Sequence, residues 1–393
     1  MQTGDTRLIK NINDQLVLNL IREHGLISGS QLAVITGMRP STISNTLKTL
    51  SEKGLIINCG KGVSTTRGGK RPWLWSLNKD AACMVGLDVD IGEIAAVVID
   101  LCGTVIKRKV LASEDIRSLD DLVFQLRESW RTIIREAGVS RKNIAGLGLA
   151  FAGVVNREHG IVHLTDVILR RNIHLLEELE HFFTIPLHIE NNANAAAIGE
   201  KWLGIGQSSR DFLTVLINVE KDVGGMGLGL VIRDEVYHGA DYCAGELNIP
   251  LPNVSAILED ISGTVDLDGF LQQCGKPLDE IDIACLIRAA HAQDPVAATF
   301  FSRLGETVGR SIAKPVAMIN PEKIILAGEI ADVGELIATP VASAIKPLIL
   351  HQVAKTLKVE TSRHGRYSVA LGAASLVLQE FFRVPLIATG GRA

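Results

Sequence analysis

The chain has 393 residues, two or three domains at roughly 150 residues each, and is long enough to bury a large core. With 47% hydrophobic, 21% charged and 4% aromatic residues, it is neither disordered nor collagen-like. The net charge of −4 is uneven: residues 1–80 hold 11 Lys+Arg against 5 Asp+Glu, a net +6, while the rest holds 29 against 39, a net −10. A basic head on an acidic body marks the head as the end that meets a polyanion.

The opening MQTGDTRLIKNINDQ is too polar for a signal peptide. No uncharged apolar run approaches the ~18 residues of a membrane span. A cytoplasmic protein without a membrane span is expected. Residues 11–24 place Ile12, Leu16, Leu18, Leu20 and Ile21 near helical spacing, ended by Gly25. A second helix follows Ser28 and stops at Thr36-Gly37. A third opens at Pro40, a residue suited to a first helical turn, and turns Ile43, Leu47 and Leu50 inward. Ser41, Thr42, Ser44, Asn45 and Lys48 remain on its outer face, with Arg39 at its start. Two short helices about a Gly-containing turn form a helix-turn-helix. Leu55–Ile57 and Trp73–Leu77 then read as antiparallel strands around a glycine-rich basic tip carrying Lys61, Arg67, Lys70 and Arg71. Such a wing reaches phosphates or a minor groove. Residues 1–80 are therefore expected to be a winged helix-turn-helix that binds double-stranded operator DNA. Its two tryptophans, Trp73 and Trp75, alternate with Leu74 and Leu77 and read as core.

After residue 80 the pattern changes. Met84–Val89, Ile94–Asp100 and Val105–Val110 form a strand meander, followed by an amphipathic helix around 117–137 and a buried strand Ile144–Phe151. A second strand-rich block starts at Phe212–Val219 and continues through Gly227–Ile232. Two meander-plus-helix halves imply an α/β, duplicated actin-like (ribonuclease H-like) sugar-kinase fold with a cleft between lobes. The lobes are placed at 81–194 and 195–393, with an apolar tail helix at 366–382 packing back on the first. Six scattered cysteines without a CxxC pair argue against a zinc knuckle or a disulfide framework and read as buried small hydrophobes.

The body segments GLDVDIGEI, GLGLAFAGVVNREHGIV, IENNANAAAIGE, GADYCAGELN, NPEKIILAGE and ALGAASL, together with the head, resemble the repressor, open-reading-frame and kinase (ROK) family, specifically its transcriptional regulators. The resemblance spans nearly the whole chain. It implies a kinase-derived body, and several positions that would carry kinase chemistry are changed. Asp88 matches the family's first-strand Asp, but Asp90 and Ile91 occupy glycine positions of the phosphate loop, where close backbone approach needs Gly. The family's Glu-Asn-Asp, whose Asp deprotonates the sugar hydroxyl, reads Glu190-Asn191-Asn192 here. An amide has no useful basicity, and loss of a general base costs about 10²–10⁴-fold. No enzyme activity and no cofactor are expected.

The family's metal-binding His falls at or beside Asn248, and the Cys-rich stretch that follows it is missing, so no metal is expected. By resemblance the sugar-contacting set is Asn191, Asn192, Glu246, Asn248 and Glu259. The expected protein is a DNA-binding transcriptional regulator of carbohydrate genes, a repressor. Its pseudokinase body senses a sugar or sugar derivative and forms a homodimer or homotetramer. A protein partner in place of the sugar is the alternative, and an active ATP-dependent sugar kinase a weaker one.

Overall fold

The computed structural model describes residues 6–62, 71–113, 116–165, 167–168, 170–219, 224–247 and 249–385. The head runs α1 (Thr6–His24), β1 (Ile27–Ser28), α2 (Gly29–Thr36), α3 (Pro40–Glu52), β2 (Ile56–Lys61) and β3 (Trp73–Leu77). Ser28 caps α2 in a reciprocal capping box with Gln31, and Gly37, at φ 70°, ends it in the left-handed conformation that glycine adopts without strain. Pro40 opens α3, as its missing N–H and fixed φ favour. The sheet order β1-β3-β2, antiparallel throughout, completes a winged helix.

Two expectations for the head are corrected. The first helix starts near residue 6, and its inward face is Val17, Leu18 and Ile21; Leu16 is 38% exposed because it faces a cavity between head and body. Trp73 is 51% exposed rather than core, with the Lys61 ammonium 5.4 Å from its ring. By strand alternation Trp73 shares the helix-covered face with Trp75 and Leu77, but it lies at the end of the strand, at the rim of a groove shared with Val34 and Leu47.

The first lobe contains β4 (Cys83–Asp90), β5 (Glu93–Asp100), β6 (Val105–Ala112), α4 (Leu119–Ala137), β7 (Ile144–Phe151), β8 (Val154–Asn156), β9 (Ile161–Leu164), α5 (Leu175–Glu180) and β10 (Leu187–Asn191). α6 (Asn192–Leu203) follows directly. The second contains β11 (Phe212–Val219), β12 (Gly224–Ile232), β13 (Glu235–Val236), α7 (Val254–Ile261), α8 (Leu267–Cys274), α9 (Ile283–His291), α10 (Pro295–Ile319), β14 (Lys323–Ala327), α11 (Glu335–Ile345), α12 (His351–Thr356) and β15 (Lys358–Thr361). The tail helix α13 (Ser368–Phe381) ends the described chain. The sheets run β10-β7-β4-β5-β6 and β13-β12-β11-β14-β15. In each, an antiparallel three-strand meander is extended by two parallel strands on the side of its first strand. This repeated order is the actin-like duplication.

α13 lies on the first sheet, so the tail belongs structurally to the first lobe. A Cβ on Gly148 of β7 would sit 1.9 Å from the Ala373 carbonyl, and one on Gly372 would sit 1.8 Å from the Ala195 carbonyl. Only glycine allows that approach. The boundary expected at 194/195 falls inside α6, one continuous helix that touches both sheets. The head is likewise joined to the first lobe by one apolar cluster: Val17, Ile21, Leu32 and Leu50 pack in continuity with Met84, Val97, Leu378 and Phe382.

Candidate functional site

The nucleic-acid face is built on α3. Its apolar residues recur at 43, 47 and 50 and are buried, which turns Ser41, Ser44, Asn45 and Lys48 to the surface; Thr42 is half-buried. Arg39 is exposed at the N-cap and makes no side-chain cap hydrogen bond. Lys48 is shared weakly with Glu52 at 3.8 Å, both exposed, an interaction worth well under ~1 kcal/mol and easily exchanged for a phosphate. On the wing, Arg71 is exposed; Arg67 and Lys70 lie outside the described residues. Ser44 and Lys48 also edge a groove of about 780 Å³ floored by Leu47, Val34, Trp73 and Trp75, in which Val34 is 84% exposed.

In the interlobe cleft, β10 delivers Glu190 and Asn191 to the start of α6. Asn191 caps α6 by accepting from the Asn194 amide at 3.1 Å, while its own amide donates to the Gly153 carbonyl at 2.7 Å and to Glu246 Oε1 at 3.1 Å. Asn191 and Glu246 are thus brought together from opposite lobes. Asn192 accepts from the Ala193 amide at 2.8 Å and lines a separate small cavity of about 110 Å³. Glu259 lies on α7. The apolar residues of α7, Val254, Ile257, Leu258 and Ile261, take its buried face; helical periodicity leaves Glu259 exposed, and no described residue bonds its carboxylate to Asn191 or Glu246. Asn248 lies outside the described residues.

The small cavity includes Asp88 and Asp90, which by resemblance fall at the family's phosphate-loop positions, and acidic residues outnumber basic ones on its wall. Asp88, Asp90, Glu93 and Glu329 border it with Arg366 as the cation. One Arg366 nitrogen holds both Glu93 oxygens at 2.8 and 2.9 Å, and another reaches Glu329 at 3.5 Å. Burial, then the neighbouring Asp90 and Glu93, push the Asp88 carboxyl well above the usual range. Burial also raises Glu329, against the lowering effect of Arg366. Asp90 and Glu93 face a single cation there, Arg366, so a phosphate chain would meet a carboxylate-rich edge. Among the described residues no cluster of three or more His, Cys, Asp or Glu is arranged to hold a metal.

Reading residues alone missed the framework beneath the cleft. Glu190, 0% exposed, accepts from Arg157 at 3.3 Å and faces His238 Nε2 at 3.0 Å. Arg157 continues to Glu380 of α13 at 3.5 Å. The next residues of the tail receive the head: Gln15 donates to the Phe381 carbonyl and Asn19 to the Phe382 carbonyl, each at 2.8 Å. The Arg22 guanidinium stacks 4.2 Å from the Trp202 ring and 5.1 Å from Phe382. A polar cavity of about 960 Å³ lies at this junction of head, tail and both lobes. Arg157 and His238 lie 33 and 48 residues from Glu190, while Arg157 is 223 from Glu380 and Gln15 is 366 from Phe381; only the identity of Glu190 inside its motif hinted at them. The cysteine expectation is corrected too: Cys83 is buried, but Cys59, Cys102 and Cys243 are exposed.

Comparison with known proteins agrees with this geometry. The ROK family profile matches residues 84–252 and 258–380, and a winged helix-turn-helix DNA-binding profile matches 10–57. The xylose repressor of Caldicellulosiruptor bescii is 26% identical, over 97% of this chain and 99% of its own length. The Escherichia coli DNA-binding transcriptional dual regulator NagC is 24% identical over 96% and 94%. Among solved structures, a ROK family transcriptional regulator homologous to E. coli Mlc superposes with a TM-score of 0.74 at 24% identity, covering 95% of this chain and 97% of that one. A ROK family glucokinase from Streptomyces griseus, in complex with glucose and AMPPNP, gives 0.64 at 23% identity, covering 75% of this chain and 99% of its own.

Proposed function

The chain belongs to the ROK family, and we infer that it is a DNA-binding transcriptional repressor of carbohydrate genes, a regulator and not an enzyme. The observation that carries this reading is the joining of a winged head to a kinase-shaped body whose base position is Asn192 and whose phosphate side is lined by Asp88, Asp90, Glu93 and Glu329. The cleft keeps groups that suit sugar hydroxyls. Asn191 and Glu246 offer a paired donor and acceptor, and Asn192 stands one residue on. We assign the effector, a sugar or sugar derivative, to this pair.

The route from cleft to DNA is physical. A ligand whose hydroxyls replace the Asn191–Glu246 hydrogen bond across the lobes changes which lobe closure is favoured. Glu190 and Arg157 connect that site to Glu380, and the tail holds α1 of the head. A ligand with different affinity for two closure states shifts the head's population by that difference. The protein acts in the cytoplasm, where operator and effector meet.

The test is a titration of the full chain with xylose, N-acetylglucosamine and glucose, sugars named by its relatives, read by thermal shift and by gel shift on DNA from upstream of its own gene. One sugar is expected to raise Tm and change DNA affinity at least tenfold, and Glu246→Gln to remove both effects. DNA binding unaffected by every sugar, with a protein partner changing it instead, would overturn the sugar assignment; no DNA binding at all would overturn the regulator.

A further inference from the structure

We propose that the cavity at the junction of head, tail and both lobes is a second ligand site, which takes a sugar acid: a small polyol carrying one carboxylate. The inference does not rest on the sugar assignment in the cleft, because Asn191, Asn192 and Glu246 do not line this cavity. At about 960 Å³ it is within the range of small-molecule sites, roughly 300–1,000 Å³.

Arg22 is the anchor. It stands in the last turn of α1, where the head meets Trp202 of α6 and Phe382 at the end of α13. The rings take the guanidinium by its face, which leaves its N–H edge to find acceptors. Yet Arg22 Nε is shielded from solvent and bonds nothing among the described residues, and the guanidinium pairs with no described carboxylate. The other two arginines of the cavity are satisfied: Arg157 by Glu190 and Glu380, and Arg383 by Glu380. Burial disfavours the Arg22 charge more than the adjacent Glu23 supports it. A cation so placed suits a carboxylate, whose two oxygens match the planar N–H fork.

A second orphan faces the same ligand. Gln379 Oε1, in the last turn of α13, is also shielded and has no donor among the described residues. A buried acceptor without a donor is costly, and a hydroxyl supplies the proton. His188 of β10 adds a third group. Burial holds its pKa below the usual value, so near neutral pH the ring offers one donor and one acceptor. The rim then limits the ligand's charge. Glu23, Glu158 and Glu235 are exposed along it; they accept from hydroxyls but oppose a dianion such as a phosphate monoester. One carboxylate for Arg22, with hydroxyls for Gln379, His188 and the rim, is the chemistry of a uronic or aldonic acid. Held by Arg22 on one side and Gln379 on the other, such a ligand ties α1 to α13, the joint that Gln15 and Asn19 already make. It favours the docked head by its difference in affinity between docked and undocked states.

The test is calorimetric titration of the full chain with D-glucuronate and D-gluconate, beside glucose and glucose 6-phosphate, with hydrogen exchange of the wild-type chain as the footprint. One acid should bind once per chain with a Kd of about 1 mM or tighter, and should slow exchange in the last turns of α1 and α13. Arg22→Gln, which removes the charge, should weaken binding by about tenfold or more, the effect of a lost charge-assisted hydrogen bond. Gln379→Glu, which sets a carboxylate against the ligand, should weaken it likewise. The wild-type footprint does not depend on any variant folding. No binding by either acid would overturn the site, as would affinity retained in Arg22→Gln or a footprint confined to the segments of Asn191 and Glu246. Tighter binding of glucose 6-phosphate, lost in Arg22→Gln, would overturn the choice of a singly charged ligand.

Discussion

Two side chains decide what the cleft can do. Asn192 cannot take a proton, but restoring a carboxylate there does not restore a kinase, because the glycine positions of the phosphate loop still carry Asp90 and Ile91. Asn192→Asp is expected to show no ADP release above background in a coupled assay with any of the three sugars. Turnover near ~10 per second, typical of an enzyme, would show that the altered loop is no barrier. Asp88 supplies a second test. Its folded carboxyl titrates well above its unfolded value, so the native state binds a proton that the unfolded chain releases. The stabilisation is complete below about pH 3.8, the unfolded value, and is lost as pH rises through the folded pKa. Asp88→Asn, which keeps the shape without the charge, should raise Tm at pH 8 and flatten its fall between pH 5 and 8. An unchanged pH profile would mean that Asp88 is ionised in the fold. At this scale the sequence was informative about identity and poor about surroundings. Asn192 and Asp90 announce their chemistry in one letter, whereas the clamp of Arg366 on Glu93 spans 273 residues and leaves no local signal. Glu259 is exposed on α7, and the sequence alone does not place it beside Asn191 and Glu246.

Among the elements, periodicity made the regular parts readable. α3, β7 and β11 were legible to within a residue or two because their buried positions follow a clean period of 3.6 or a continuous apolar run. α1 was less legible because it serves two neighbours. One side completes the head core through Val17 and Ile21, and another meets the body through Gln15, Asn19 and Arg22. That double duty blurs the apolar stripe and put Leu16 on the wrong face. The joint is testable. A net hydrogen bond is worth about 1 kcal/mol, so removing both in Gln15→Ala/Asn19→Ala weakens docking by roughly 2 kcal/mol, about a 30-fold change in an opening equilibrium. Hydrogen exchange should rise by that order in the last turn of α13 and along α1, with the second-lobe core unchanged. Equal protection in variant and wild type would show that the apolar cluster alone holds the head. The wing gives a separate measurement. Arg71→Ala should weaken DNA binding on every sequence and flatten the salt slope by about one unit, the signature of one lost phosphate contact. Changing Ser44 or Asn45 should instead alter sequence preference. A slope unaffected by Arg71→Ala would place the wing away from the phosphates.

For the whole molecule, the charge asymmetry sets the problem that assembly solves. One winged head presents a single recognition helix and a few basic groups, Arg39, Lys48 and Arg71 among the described ones. A handful of phosphate contacts gives weak binding at physiological salt. The acidic body, net −10 outside residues 1–80, adds repulsion from the same polyanion. Two heads carried by one assembly change this. Once the first head is bound, the second binds as an intramolecular event, at an effective concentration that reaches the millimolar range for short tethers. The tether here is short and stiff: the 3₁₀ turn Lys79–Ala81 leads directly into β4, and the shared apolar cluster braces α1 against α13. The spacing of the recognition helices therefore follows the body, and a lobe movement in either subunit changes how well both heads fit. We accordingly expect a homodimer or dimer of dimers on a pseudo-palindromic operator with half-sites one or two helical turns apart, roughly 10 or 21 base pairs. Sedimentation at micromolar concentration should give twice or four times the 42.3 kDa chain mass. Inserting about five base pairs between half-sites rotates one by half a turn and should reduce affinity toward that of a single half-site. Restoring the full turn with about ten should recover most of it. A monomer that footprints one half-site at full affinity would remove the need for two heads, and with it the idea that the effector acts through their spacing.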